Sequence, residues 1–188
     1  MIQFKDAMVW QKTVNALATF ISEGNFRFND SGISFKAIDP SQVVLVNCFA
    51  DKKMFDHFDL EPTFVGIDLV EFSKIMSRAS PADKMEMDLT ESELLVKFDG
   101  ELTRSFRLPL IEVGEMTVNI PDVKFDCRIE MNSKLLKEAL KDAALFGSSV
   151  VLKLKNKQLS IEARGSQGAL RTVSKDTNKS VSIEETGN

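Results

Sequence analysis

Apolar and polar positions along this chain follow two rhythms, and the same order of rhythms returns three times. Near residues 9, 68 and 132 the spacing is helical. Trp10, Val14, Leu17 and Ile21 form one apolar stripe; Leu69, Phe72, Ile75 or Met76, and Ala79 form a second; Leu136, Ala139 or Leu140, and Ala143 form a third. Steps of three and four residues place each set on one side of a helix and leave the other side polar. The starts are marked as well. Asp68 stands three residues before Glu71 in the manner of a capping box, and Asn132-Ser133 offers an N-cap.

After each helix the period changes from about 3.6 to two, the signature of a strand with one buried face. The first hairpin runs Phe26, Phe28, a turn at Asn29-Asp30-Ser31-Gly32, then Ile33, Phe35 and Ala37. The second runs Met85, Met87, Leu89, a turn at Thr90-Glu91-Ser92-Glu93, then Leu94, Val96 and Phe98. The third runs Val150, Leu152, Leu154, a turn at Lys155-Asn156-Lys157-Gln158, then Leu159, Ile161 and Ala163. A further strand follows each hairpin (43–50, 104–111, 169–173), and another precedes each helix (2–4, 64–67, 125–131).

The chain thus reads β-α-β-β-β three times. Helices on one face of antiparallel sheet predict an α+β fold. Two such units make one domain over residues 1–112, with two helices side by side on a shared sheet. Residues 113–122, with Gly114 and Pro121 and no helical stripe, read as a connector. Residues 123–188 hold one unit, the first half of a second domain, and close in a short polar tail from Ser182 to Asn188.

Composition narrows the class. Of 188 residues, 43% are hydrophobic and 28% charged, which is globular usage rather than disorder. No apolar run approaches the ~20 residues of a membrane span, and Met1 to Asp6 lacks the layout of a signal peptide, so an intracellular protein is expected. Cys48 and Cys127 lie far apart within strand-like runs and read as buried free thiols. The net charge of −4 argues against a surface that coats nucleic acid all over, but allows cations gathered on one face.

Signs of catalysis are few. Gly24, Gly32, Gly66 and Gly100 are isolated and build no phosphate loop. His57, the only histidine, stands in the charged stretch from Asp51 to Asp59 and reads as a solvent-facing loop residue, as do Asp56 and Asp59 beside it. A non-enzymatic scaffold without metal or cofactor is expected.

Four segments carry a resemblance. They are Asp30 to Leu45, with its Ala37-Ile38-Asp39-Pro40-Ser41-Gln42 run; Phe72-Ser73-Lys74-Ile75-Met76; Arg104-Ser105-Phe106-Arg107-Leu108-Pro109-Leu110-Ile111; and Leu136-Lys137-Glu138-Ala139-Leu140-Lys141-Asp142-Ala143. In order and spacing they resemble the DNA sliding clamps of the archaeal and eukaryotic proliferating cell nuclear antigen family, over essentially the whole chain. Family members carry four units where this chain shows three, so the last quarter of the usual chain is expected to be lacking.

The resemblance implies a ring-forming processivity factor that encircles duplex DNA without reading its sequence. It would tether polymerase, nuclease and ligase, be placed by a clamp loader, and assemble as a trimer of itself or of related subunits. Location would be cytoplasmic in an archaeon and nuclear in a eukaryote. Lys12, Lys74, Arg78, Arg107, Lys134, Lys137 and Lys141 are the implied DNA contacts, acting on phosphates. A solvated mixed-charge face is the other reading of these helices, since Glu71, Glu138 and Asp142 share them. Ile38, Gln42, Val43, Leu45, Val118, Ile120, Pro121 and Phe125 are the implied docking residues for short hydrophobic motifs; ordinary core is the alternative. Phe106, Leu108, Leu110, Arg171, Val173 and Lys175 mark the strands implied at the subunit interface. A competing function for a three-unit chain is a regulator that caps a full clamp without encircling DNA. An unrelated α+β hydrolase is a third.

Overall fold

The computed structural model describes residues 1–114, 122–175 and 181–185. The chain divides into two compact units, Met1–Ile120 and Pro121–Asn188.

Unit 1 runs β1 (Ile2–Phe4), α1 (Ala7–Ala18), β2 (Glu23–Asn29), β3 (Gly32–Ile38), β4 (Leu45–Asp51), β5 (Phe55–Phe58), β6 (Thr63–Asp68), α2 (Leu69–Met76), β7 (Lys84–Leu89), β8 (Glu93–Asp99) and β9 (Thr103–Pro109). The expected alternation is what builds it. Phe26 and Phe28 of β2 face Phe35 and Ile33 of β3, and Met85 and Met87 of β7 face Phe98 and Val96 of β8. All are almost fully buried, together with Trp10, Val14 and Leu17 of α1 and Leu69, Phe72 and Met76 of α2. The two helices pack together, and the Gln11 side-chain amide of α1 donates 2.8 Å to the Met76 carbonyl at the end of α2.

The single shared sheet expected for these two repeats is instead two antiparallel sheets, ordered β5-β1-β7-β8-β9 and β4-β3-β2-β6. The repeats exchange strands: β1 of the first pairs with β7 of the second, and β6 of the second pairs with β2 of the first. Local alternation fixes which face of a strand is buried, whereas the partner of each strand is a non-local choice. The stretch around His57 is likewise not a loop. Phe55 and Phe58 close it into edge strand β5 against β1, with His57 exposed opposite Gln3.

Unit 2 runs β10 (Cys127–Met131), α3 (Ser133–Ala144), β11 (Val150–Lys155), β12 (Gln158–Gly165), β13 (Gly168–Val173) and β14 (Val181–Glu185). Its sheets are β11-β12-β13 and β10-β14. Part of the expected polar tail is therefore a strand, in which Ile183 lies opposite Ile129 and Val181 opposite Met131. The fully buried cluster here is small: Ala139, Leu159 and Ile161, with Ile129, Met131, Leu136 and Ile183 packed around them. Cys48 and Cys127 are free thiols as expected, but half-buried rather than buried. Burial raises the pKa of the Cys48 thiol.

Candidate nucleic-acid and partner-docking surfaces

Each helix starts on a side-chain cap. The carboxylate of Asp6 accepts from the amides of Met8 (2.8 Å) and Val9 (3.3 Å), that of Asp68 from Glu71 (2.9 Å), and the amide oxygen of Asn132 from Lys134 (2.9 Å). Caps of this kind satisfy donors that the first turn leaves without partners. With the apolar stripe turned to the core, the opposite face of each helix carries its cations.

Lys12 on α1, Lys74 on α2, Arg78 just beyond α2, and Lys134, Lys137 and Lys141 on α3 lie on these outer faces, none of them buried. Two of them are engaged: Lys74 lies 2.6 Å from Glu71 and Lys141 2.8 Å from Glu138, each three residues apart on its helix. The Glu71 hydrogen bond is the main cause that raises the Lys74 pKa. Exposed pairs of this type are weak and screened by solvent, so a phosphate can compete for the lysine. Arg78 stands on a braced backbone. Its carbonyl accepts 2.8 Å from the Arg104 guanidinium, which also pairs with Asp83. Hydrogen bonding by the Ser80 amide, followed by Arg104, holds the Asp83 carboxyl below the usual carboxylate range. Arg107 is exposed on β9 and pairs loosely with Glu93 at 3.4 Å.

The second surface is a groove of about 770 Å³ on unit 1. Ile38 and Gln42 line it, beside the Asp39-Pro40 turn, Val113 and Gly114. The turn is held by Asp39. Its carboxylate accepts from the amides of Ser41 (3.2 Å), Val43 (2.8 Å) and Val44 (2.6 Å) and from the Ser41 hydroxyl. These bonds, the Ser41 hydroxyl first, depress its pKa. Gln42 takes a left-handed backbone (φ 58°), and its amide donates 2.8 Å to the Asp39 carbonyl. The result is a rigid turn from which Val43 projects 81% exposed. Val43 and Leu45 stand beside the groove rather than in its lining. Phe125, in unit 2, is 74% exposed. Val118, Ile120 and Pro121 lie outside the described residues.

The floor of the groove was not singled out by sequence. Asn25 and Arg27 of β2, Lys36 of β3, Asn47 of β4 and Phe64 of β6 line it, with the Arg27 guanidinium 4.5 Å over the Phe64 ring. These are the outward positions between the buried residues of the same strands. One wall belongs to the chain leaving β9. Asn25 Nδ2 donates 3.1 Å to the Val113 carbonyl, and the Ile111 amide donates 3.0 Å to the Gly66 carbonyl. A side chain at Gly66 would meet the Ile111 carbonyl oxygen at 2.2 Å, so only glycine permits this approach.

The third feature is a pair of sheet edges. β9 ends the five-stranded sheet and β13 ends the three-stranded one. Leu108 is buried and Phe106 and Leu110 pack on the core, so the apolar side chains of β9 face inward. Arg171, Val173 and Lys175 are exposed on or just beyond β13. Among the described residues no cluster of three or more His, Cys, Asp or Glu is placed to hold a metal ion. No described helix is long and apolar enough to cross a membrane.

The profile of the proliferating cell nuclear antigen, N-terminal domain, matches residues 1–114. This chain belongs to the proliferating cell nuclear antigen family. Relatives extend the likeness past the matched domain. The DNA polymerase sliding clamp 1 of Thermococcus kodakarensis is 30% identical over 87% of this chain and 67% of its own length. The DNA polymerase sliding clamp of Thermofilum pendens is 29% identical over 90% of this chain and 69% of its own length. The chain thus spans about two thirds of the length of these relatives. The crystal structure of the proliferating cell nuclear antigen from Thermococcus kodakaraensis superposes on 98% of the chain with a TM-score of 0.92 at 27% identity, and 76% of that structure is covered. That of Entamoeba histolytica, at 24% identity and a TM-score of 0.88, agrees in fold. The antiparallel clamp fold that the resemblance implies is therefore the fold of this family member.

Proposed function

We propose that this chain is a non-catalytic clamp subunit for DNA replication and repair. In this reading it surrounds duplex DNA as part of a trimeric ring and tethers polymerase, nuclease and ligase to it. Membership of the sliding-clamp family, on a chain whose helices expose Lys12 on α1, Lys74 on α2 and Lys134, Lys137 and Lys141 on α3, is the observation that carries the reading. Lys12, Lys74, Arg78, Arg107, Lys134, Lys137 and Lys141 would meet phosphates as mobile point charges. Such contacts give affinity through counterion release and carry no base information, which suits a protein that slides.

Docking would use the groove. Ile38 and Gln42 would receive a short hydrophobic motif, Val43 and Leu45 would extend its apolar rim, and Val118, Ile120, Pro121 and Phe125 would complete the site. An apolar anchor inserted beside a rigid turn is a recurrent way to hold a short helical segment. Ring contacts would form where the β9 edge of one subunit, with Phe106, Leu108 and Leu110, pairs with the β13 edge of the next, with Arg171, Val173 and Lys175. Residues 1–112 would form the N-terminal clamp domain, 113–122 the connector, and 123–188 the first half of the next domain. A protein working on chromosomal DNA would act inside the cell.

The test is salt-dependent binding to duplexes of unrelated sequence. Lys134→Glu with Lys137→Glu is expected to weaken binding equally on every sequence. It should also flatten the dependence of log affinity on log salt by about 0.9 for each phosphate no longer neutralised. Unchanged affinity and slope in the folded double variant would overturn the DNA contact.

A further inference from the structure

The groove on unit 1 has two unlike ends. On the outward face of the four-stranded sheet, side chains two residues apart follow one another along each strand. Along β2 these are Glu23, Asn25 and Arg27; along β3 they are Ser34, Lys36 and Ile38. Arg27 lies opposite Ser34 on one side and Phe64 of β6 on the other. Asn47 of β4 lies opposite Lys36. Phe26 pairs with Phe35, so Asn25 comes level with Lys36 and Glu23 level with Ile38. One end of the groove is therefore apolar, built on Ile21, Ile38 and Pro40, and carries Glu23. The other end carries Arg27 and Lys36, with Asn47 beside them.

On a chain of net charge −4, two neighbouring cations on a groove floor are a local reversal of sign. The nearby carboxylate of Asp39 does not offset them in kind, since the donors of its own turn occupy it. Arg27 is also held in place, because its guanidinium lies 4.5 Å over the Phe64 ring. Stacking fixes the plane of the fork, and a fixed fork suits a carboxylate, which it binds through two parallel hydrogen bonds.

We infer that the groove floor binds an acidic residue of the docked peptide, with Arg27 and Lys36 as its partners, while the apolar end holds the anchor. The inference rests on the docking reading above and names the chemistry of the partner. Ile38 and Ser34, the latter level with Arg27, are four residues apart on β3, about 13 Å at the rise of a strand. An extended segment covers that span in about four residues, which sets the spacing between anchor and carboxylate. Asn47, opposite Lys36, offers its amide to the backbone of a segment laid this way. A nucleic acid strand suits the floor less well. The Arg27 guanidinium covers the ring on which a base would stack, and Glu23 repels the phosphates of a strand that runs the length of the groove.

Fluorescence anisotropy of the 188-residue protein with synthetic peptides tests the inference. All peptides carry the same Ile and Phe anchor. Three Asp, three Asn or three Lys begin at the fourth residue from it, before the anchor in one series and after it in another. In one series the Asp peptide is expected to bind about fivefold tighter than the Asn peptide, with the Lys peptide weakest, and added salt should narrow the gap. Arg27→Glu with Lys36→Glu should invert the order, and a Lys peptide that now binds best also shows the variant to be folded. Ile38→Ala should weaken all peptides by a similar factor. Equal binding of the three peptides in both series, weakened by Ile38→Ala, would overturn the inference and leave the docking reading intact. No binding by any peptide would overturn both. An oligothymidine that displaces the Asp peptide and is lost on Arg27→Glu with Lys36→Glu would overturn the inference in favour of a nucleic acid strand.

Discussion

Asp39 holds the groove turn with one carboxylate and four donors, and this makes the turn sensitive to acid. Its folded pKa is depressed, chiefly by the Ser41 hydroxyl and the Val44 amide. The stabilisation is therefore present above the unfolded pKa and is lost as pH falls through the folded value. Hydrogen exchange should find the Val43 and Val44 amides protected at neutral pH and released below the usual carboxylate range. Asp39→Asn should release them already at neutral pH. In the core, Phe26 touches Phe35 and Phe72 at centroid distances of 4.8 and 6.4 Å and is 1% exposed. Phe26→Ala is expected to cost about 3–5 kcal/mol in denaturant unfolding of unit 1, because the ring leaves a cavity that its neighbours fill only in part. Phe26 stands out in sequence by its alternation with Phe28, whereas the part Asp39 plays in the turn is visible only in the structure. Arg27 and Asn25 did not stand out, since an outward polar position looks the same in sequence whether it faces bulk water or a groove floor.

Among elements, α3 depends most on its own ends. Asn132 caps it, and only Ala139 and Ala143 of its side chains are buried. Asn132→Ala is expected to lower the stability of unit 2 by about 1 kcal/mol, read as an earlier loss of helical signal on heating. The helices and hairpins were legible because each carries its period within a short local stretch. β5 was not, because Phe55 and Phe58 are spaced by Asp56 and exposed His57 in a stretch rich in charge. β14 was not, because Val181 and Ile183 alternate with polar residues near the end of the chain. The division into two sheets was hidden for another reason. It depends on β1 choosing β7 and β6 choosing β2, pairings between strands far apart along the chain.

At the scale of the molecule the two units differ in how much they bury. Unit 1 joins aromatic side chains from both helices and both sheets in one cluster; unit 2 has a small cluster built on alanine, leucine and isoleucine. Hydrophobic stabilisation follows buried area, so the units should not melt together. Calorimetry of the dilute protein is expected to resolve two transitions, the first from unit 2, and Phe26→Ala should move only the second. A single transition that both Phe26→Ala and Asn132→Ala displace would show instead that the units unfold as one.

The chain leaves unit 1 fastened twice, by Ile111 on Gly66 and by Val113 on Asn25. These rivets lie on β6 and β2, the strands that floor the groove, not on the strand from which the segment has just emerged. In mechanical terms, tension applied beyond Gly114 is carried into the groove floor before it can peel β9 from its sheet. A pull on the chain beyond Gly114 is therefore felt first at the groove floor, where Asn25 and Phe64 sit.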